Sequence, residues 1–176
     1  MQMDLSPASR DVLRPPAPLR LVLVSLLIAL VLNLMAWSGW MLKIRPDFVL
    51  LMLLYWVVHE PRNVGQLWGF ALGLVMDVAD SALLGQHALV YVMAVFLAQL
   101  LRIRILKLTV MEQALHMLGI LLVAQLIYIG LNLSLGRDFA GVALFVAPLL
   151  GALLWVPLDV LAKLPRFRRR GETVMM

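Results

Sequence analysis

Charged residues divide this chain into six apolar runs, at positions 21–42, 48–58, 64–76, 81–101, 113–136 and 139–158, if the neutral histidines His87 and His116 are admitted. Four of the runs are long enough to cross a hydrocarbon core about 30 Å thick as helices. The second has eleven residues, which gives only about 16 Å of helix at about 1.5 Å per residue. The third is nearly as short. The pattern predicts six helices, with the second short, tilted or extended by its flanks.

Composition makes these runs membrane spans rather than core helices. The chain is 63% hydrophobic and 14% charged, against about 25% charged in an ordinary soluble domain. Its mean hydropathy is +0.96. With 176 residues, six spans leave little for any soluble domain. There are no cysteines, so disulfides, thiolate nucleophiles and cysteine-ligated metals are excluded.

Charge sets the orientation. If all six runs cross and the N-terminus is cytoplasmic, twelve Lys and Arg residues lie inside and only Lys43, Arg45 and Arg137 lie outside. If positions 47–80 cross only once, the bias reverses and Arg62 is stranded in the membrane. Positive-inside bias therefore selects six crossings with both termini cytoplasmic. It also accounts for the pI near 10.2 without nucleic acid, because the basic residues gather at span ends. Trp37, Trp40, Trp56, Trp68 and Trp155 fall at the proposed ends, the headgroup level that Trp favours. The first run is too long for a signal peptide and lacks a small-x-small cleavage pattern, so it reads as an uncleaved span. The expected layout is a disordered cytoplasmic tail at 1–18, a six-helix transmembrane domain at 19–163 and a basic cytoplasmic tail at 164–176.

The most informative stretch is the third span. Gly65, Gly69 and Gly73 recur at four-residue steps and lead to Asp77, so on a helix all four lie along one slanting stripe. Small residues in that spacing let another helix approach closely. Whether that helix belongs to this chain or to a separate protein stays open. An intramembrane carboxylate is a functional candidate by default, and this one lies toward the outer end of the span. It is also near a helix C-terminus, where the macrodipole disfavours an anion. Compensation is expected from Lys43, Arg45, His87 or the backbone amides of the 81–87 turn. Two readings follow: Asp77 organises a polar pocket or partner contact at the outer leaflet with Arg45, Asp47 and His87, or it is a helix-end carboxylate facing water. Asp80 is read as interfacial rather than as half of a catalytic carboxyl pair.

Other polar residues have structural explanations. Arg45-Pro46-Asp47 fits a helix start, with Pro at or near the first helical position and Asp in the first turn. Pro148 and Pro157 predict kinks, Asp159 is placed to pair with Lys163 at i+4, and Glu112 reads as an interfacial charge. Asn33, Gln99, Gln125 and Asn132 are expected to bond between helices. Arg166, Arg168, Arg169 and Arg170 form a membrane-surface tail able to hold anionic lipid. No HExxH, GxGD or P-loop occurs, the three histidines lack ligand spacing, and no serine triad or dyad is present. Neither an enzyme nor a cofactor or metal site is expected.

Arg45-Pro46-Asp47-Phe48, an aliphatic stretch ending in Tyr55-Trp56, Asn63-x-Gly65, Gly69-x-x-x-Gly73-x-x-x-Asp77 and Leu84-Gly85 together resemble the rod shape-determining protein MreD family. The resemblance is most specific over residues 45–90. The family pattern often has Ser-Gly after the aspartate, where this chain has Asp80-Ser81. What the resemblance implies is a non-enzymatic, multi-pass component of the bacterial inner membrane, part of the cell-wall elongation machinery. Its implied partners are the periplasmic membrane-anchored MreC, the MreB cytoskeleton, RodA and a penicillin-binding peptidoglycan synthase. The family is also similar in fold to the substrate-binding subunits of energy-coupling-factor vitamin transporters, which implies an outward cavity near Asp77. A rival reading is therefore a small-molecule or lipid binder.

Overall fold

The structure, a computed structural model, describes residues 17–35, 38–39, 41, 44–137 and 141–172, with side chains as far as residue 161. Trp37, Trp40, Lys43 and most of the N-terminal tail lie outside the described residues. So do the side chains of Lys163, Arg166, Arg168, Arg169 and Arg170.

The described chain is all-helical. Six α-helices follow in order: α1 Leu19–Leu34, α2 Phe48–His59, α3 Gln66–Ala79, α4 Gln86–Ile105, α5 Val110–Ser134 and α6 Val146–Glu172, the last entered through a 3-10 turn at Val142–Phe145. The helices at Gln86–Ile105 and Val110–Ser134, and the segment Val142–Leu161, are long and apolar enough to cross a membrane. The first three helices are apolar but shorter.

The exterior is greasy rather than polar. On α1 alone, Leu23, Val24, Leu27, Ile28 and Val31 are exposed, and Leu100, Ile103, Leu115 and Leu126 continue the surface on α4 and α5. Water would not tolerate so continuous an apolar coat; lipid tails do.

The shortest helix is the most deeply buried. Nine residues of α2, from Val49 to Val58, are buried, as expected for a helix that is apolar all round. It packs against α1, α3, α4 and α6. Length and burial are linked, because a helix enclosed by other helices need not match the bilayer thickness itself. Tyr55 joins Trp56 of its own helix to Trp155 of α6 in an aromatic cluster, with Tyr55 and Trp155 ring centroids 5.7 Å apart.

That cluster revises the tryptophan reading. Trp56 and Trp155 are buried inside the bundle, not turned toward headgroups. Each instead places its indole N–H on an internal acceptor, Trp56 on Ser25 Oγ at 2.8 Å and Trp155 on Gln113 Oε1 at 3.4 Å. Pro148 likewise marks no kink. It lies in the first turn of α6, where its missing N–H has no helical partner to lose.

Candidate functional site

The polar residues of the spans converge at one end of the bundle, where α1 and α3 finish and α2 and α4 begin. Asp77 is fully buried, on the last turn of α3. Helix α4 starts with Gly85 as its N-cap, a residue at φ 98° with no side chain to cap with. Asp77 supplies the missing acceptor. Its Oδ2 accepts from the Gly85 N–H at 2.7 Å and the Ala88 N–H at 3.4 Å, and its Oδ1 accepts from the His87 N–H at 2.6 Å. The carboxylate closing one helix thus caps the next, and the α4 dipole offsets the unfavourable dipole of α3. His87 Nδ1, 3.0 Å from Oδ1, completes the shell; the tautomer with its proton on Nδ1 is the one that donates.

From His87 the network continues outward. His87 Nε2 lies 3.6 Å from Asp80, whose other oxygen lies 3.6 Å from Arg45 Nη2. The Arg45 guanidinium also donates to the Asn33 carbonyl at 2.5 Å. Asp47 is held from three helices: the Leu50 N–H at 3.0 Å, Asn33 Nδ2 at 3.0 Å and the Tyr91 hydroxyl at 2.5 Å. Asp47 is the N-cap of α2, one position before the helix, rather than a member of its first turn. Asn33 Oδ1 returns the favour to the α2 backbone, accepting from Phe48 N–H at 3.1 Å.

Arg45, Asp47, Asp77 and His87 are therefore in one cluster, and the water-facing reading of Asp77 does not describe it. Asp80 is more than interfacial, since it joins Arg45 to His87. Tyr91 and the full role of Asn33 are additions. The sequence did carry a signal for Tyr91, which follows His87 at i+4 on the same helix face.

The glycine stripe packs against α4 of the same chain. A Cβ on Gly73 would lie 2.6 Å from Ala88 N and 2.9 Å from His87 C, with Ala88 Cα closer still. At Gly69 it would meet Val95 at 3.2 Å and the Tyr91 carbonyl at 3.4 Å. Gly65 is the N-cap of α3, outside the helix, and a Cβ there would touch only Gln99 Nε2 at 3.4 Å. The contact tightens steadily toward Asp77, so the packing and the cap belong to one joint.

A cavity of about 340 Å³ opens beside this cluster. Its lining combines Arg45, Asp47, Asp80, His87, Gln125 and Tyr128 with the apolar Leu50, Met76, Leu121 and Pro148. Gln125 thus faces the cavity, Asn132 donates to the Tyr128 carbonyl of its own helix, and Gln99 accepts from Gln66 of α3 at 3.2 Å.

The opposite end is simpler. Glu60 accepts from the Ala17 N–H at 3.0 Å, Arg102 donates to the Val58 carbonyl at 2.7 Å, and Asp159 faces His59 Nε2 at 3.8 Å. Glu112 forms a capping box with Thr109 at the start of α5. Among the described residues, no three His, Asp or Glu side chains are grouped to hold a metal ion.

Greasy exterior and a helical bundle with apolar segments long enough to span the bilayer define an integral membrane protein. Comparison with known proteins is specific. The family model for rod shape-determining protein MreD matches residues 18–164. A curated relative, Rod shape-determining protein MreD of Haemophilus influenzae, is 41% identical over 69 residues, which is 39% of this chain and 43% of that protein. The matched stretch thus spans less than half of the relative's length. No solved structure matches significantly. The chain belongs to the rod shape-determining MreD family.

Proposed function

We propose that this chain is a non-enzymatic, integral component of the cell-wall elongation complex in the bacterial inner membrane, required for rod shape. It crosses six times with both termini cytoplasmic and acts by helix packing with MreC and, through the complex, with MreB, RodA and a penicillin-binding transpeptidase. The observation that carries this reading is the family match over residues 18–164. The polar cluster supports it in kind, because its carboxylates are held by amides, Asn33, Tyr91, Arg45 and His87 rather than poised around a reacting centre. In this reading the glycine stripe supports partner binding indirectly, by fixing the α3–α4 pair, and partners use the apolar outer faces.

The test is depletion in a rod-shaped host. Rounding of the cells, reversed by the intact chain, is the expected outcome, together with co-purification of MreC in mild detergent. Normal rods after depletion overturn the proposal.

A second reading, a small-molecule or lipid binder of the vitamin-transporter substrate-subunit type, draws on the 340 Å³ cavity. It predicts a ligand that raises the thermal stability of the purified protein, since a ligand bound only to the folded state stabilises it. Normal shape with a nutrient requirement on depletion favours this reading; no stabiliser among lipids and vitamins counts against it.

A further inference from the structure

A second recess lies away from the polar cluster, between α1 and α6 over the outer face of α2. It measures about 370 Å³ and is lined by Leu21, Ser25, Met52, Trp56, Leu158 and Leu161 among others. Its polar wall atoms are already engaged. The Ser25 hydroxyl donates to the Val22 carbonyl at 2.8 Å and accepts the Trp56 indole N–H at 2.8 Å. Nothing in this wall asks for a polar partner, so the occupant is hydrocarbon. A bilayer does not leave such a space empty, because wall atoms facing a void lose their dispersion contacts.

Two further observations choose the occupant. Close docking of another helix uses small residues that let backbones approach, and this wall presents Leu, Met, Phe, Trp and Pro with only one Ser. The chain's own glycine stripe is taken up by α4. Charge then supplies the polarity. Helix α6 continues past Leu161 to Glu172, bringing the backbone of Arg166 to Arg170 about 7 to 14 Å further along its axis. On the other wall, Arg20 directly precedes Leu21. Both walls therefore run into arginine at the same end of the groove. Among the described side chains, the carboxylates at that end, Glu60 and Asp159, are directed to Ala17 N and His59.

We propose that the α1–α2–α6 groove binds one acyl chain of an anionic phospholipid, whose phosphate headgroup sits at the mouth where Arg20 leads into the α1 wall and the arginine-rich end of α6 begins. An acyl chain conforms to a wall of large, irregular side chains where a rigid helix does not. The anionic headgroup matches the charge at the groove mouth.

Native mass spectrometry of the full chain, delipidated in mild detergent and supplied with phosphatidylglycerol or phosphatidylcholine, tests this. The intact chain is expected to retain phosphatidylglycerol preferentially. Replacing Arg168, Arg169 and Arg170 with Gln should lower phosphatidylglycerol retention by roughly fivefold per charge removed while leaving phosphatidylcholine unchanged. Leu158→Trp, which fills the groove, should reduce retention of both lipids severalfold. Equal retention by the Trp variant, or no headgroup preference in the intact chain, overturns the proposal. Should the Trp variant misfold, a phospholipid photolabelled on its acyl chain decides the matter in the unaltered protein. Labelling concentrated on the 21–25 and 154–161 segments supports the site. Labelling spread evenly over α4 and α5, or cross-linking of this groove to a partner helix or a second copy, overturns it.

Discussion

Gly73 is the position where the fold tolerates least. A methyl group there collides with backbone rather than with the end of a flexible side chain, so α3 and α4 must separate to admit it. Gly73→Ala should cost about 1 to 3 kcal/mol, read as a lower unfolding temperature in detergent. Gly65→Ala, which meets only the mobile end of Gln99, should stay close to the parent. Equal effects at both positions would show that the stripe has no special joint at its Asp77 end. At this scale the sequence was partly legible. Four-residue spacing showed a close approach but not which surface approached, because periodicity describes one helix and not its neighbour. Trp56 and Trp155 were misread for a related reason: an indole N–H is satisfied as well by Ser25 or Gln113 within the bundle as by a headgroup, and only packing distinguishes the two.

Among the elements, the α3–α4 joint depends on a single side chain. Removing the Asp77 carboxylate leaves the Gly85 and His87 amides without their acceptor in a buried setting. The cost expected for losing charged hydrogen bonds there is about 2 to 4 kcal/mol. Asp77→Ala should therefore lose folded protein, while Asp77→Asn, which keeps one amide oxygen as acceptor, should lose less. Size-exclusion profiles and melting curves in detergent compare the two. An alanine variant as stable as the parent would remove the capping role. Charge runs located α2 to α5 to within about five residues, while α6 runs on to Glu172, well past the 139–158 run. The first run predicted a helix to residue 42, but α1 gives way at Leu34, where Asn33 turns its carbonyl and amide to Arg45, Asp47 and Phe48. A hydrophobic run does not reveal such a stop, because the apolar residues continue past it. The eleven-residue second run was legible as short; its nearly complete burial followed from neighbours that the pattern could not show.

For the molecule as a whole, the six-crossing proposal can be tested because the chain has no cysteine of its own. Lys107 and Arg137 are exposed and sit at opposite ends of α5. In spheroplasts, a membrane-impermeant maleimide should label Arg137→Cys directly and Lys107→Cys only after permeabilisation. Labelling of both from one side would remove the α5 crossing, and the reverse pattern would invert the topology. The polar cluster where α1 to α4 meet and the apolar groove along α1, α2 and α6 give the bundle two unlike surfaces.

Asp77 also constrains how the bundle is made. While the chain is being inserted, this carboxylate enters the membrane ahead of its amide donors, which belong to the start of the next helix. α3 alone is therefore a poor candidate for stable insertion, and α3 with α4 a good one, so the two are expected to leave the translocon as a hairpin. With Ser81→Cys as a reporter just past α3, an impermeant maleimide should fail to label chains ending at residue 84 from outside and should label chains ending after Ile105; equal labelling would mean that α3 settles alone. The order of assembly is then set by a carboxylate waiting for eight more residues to arrive.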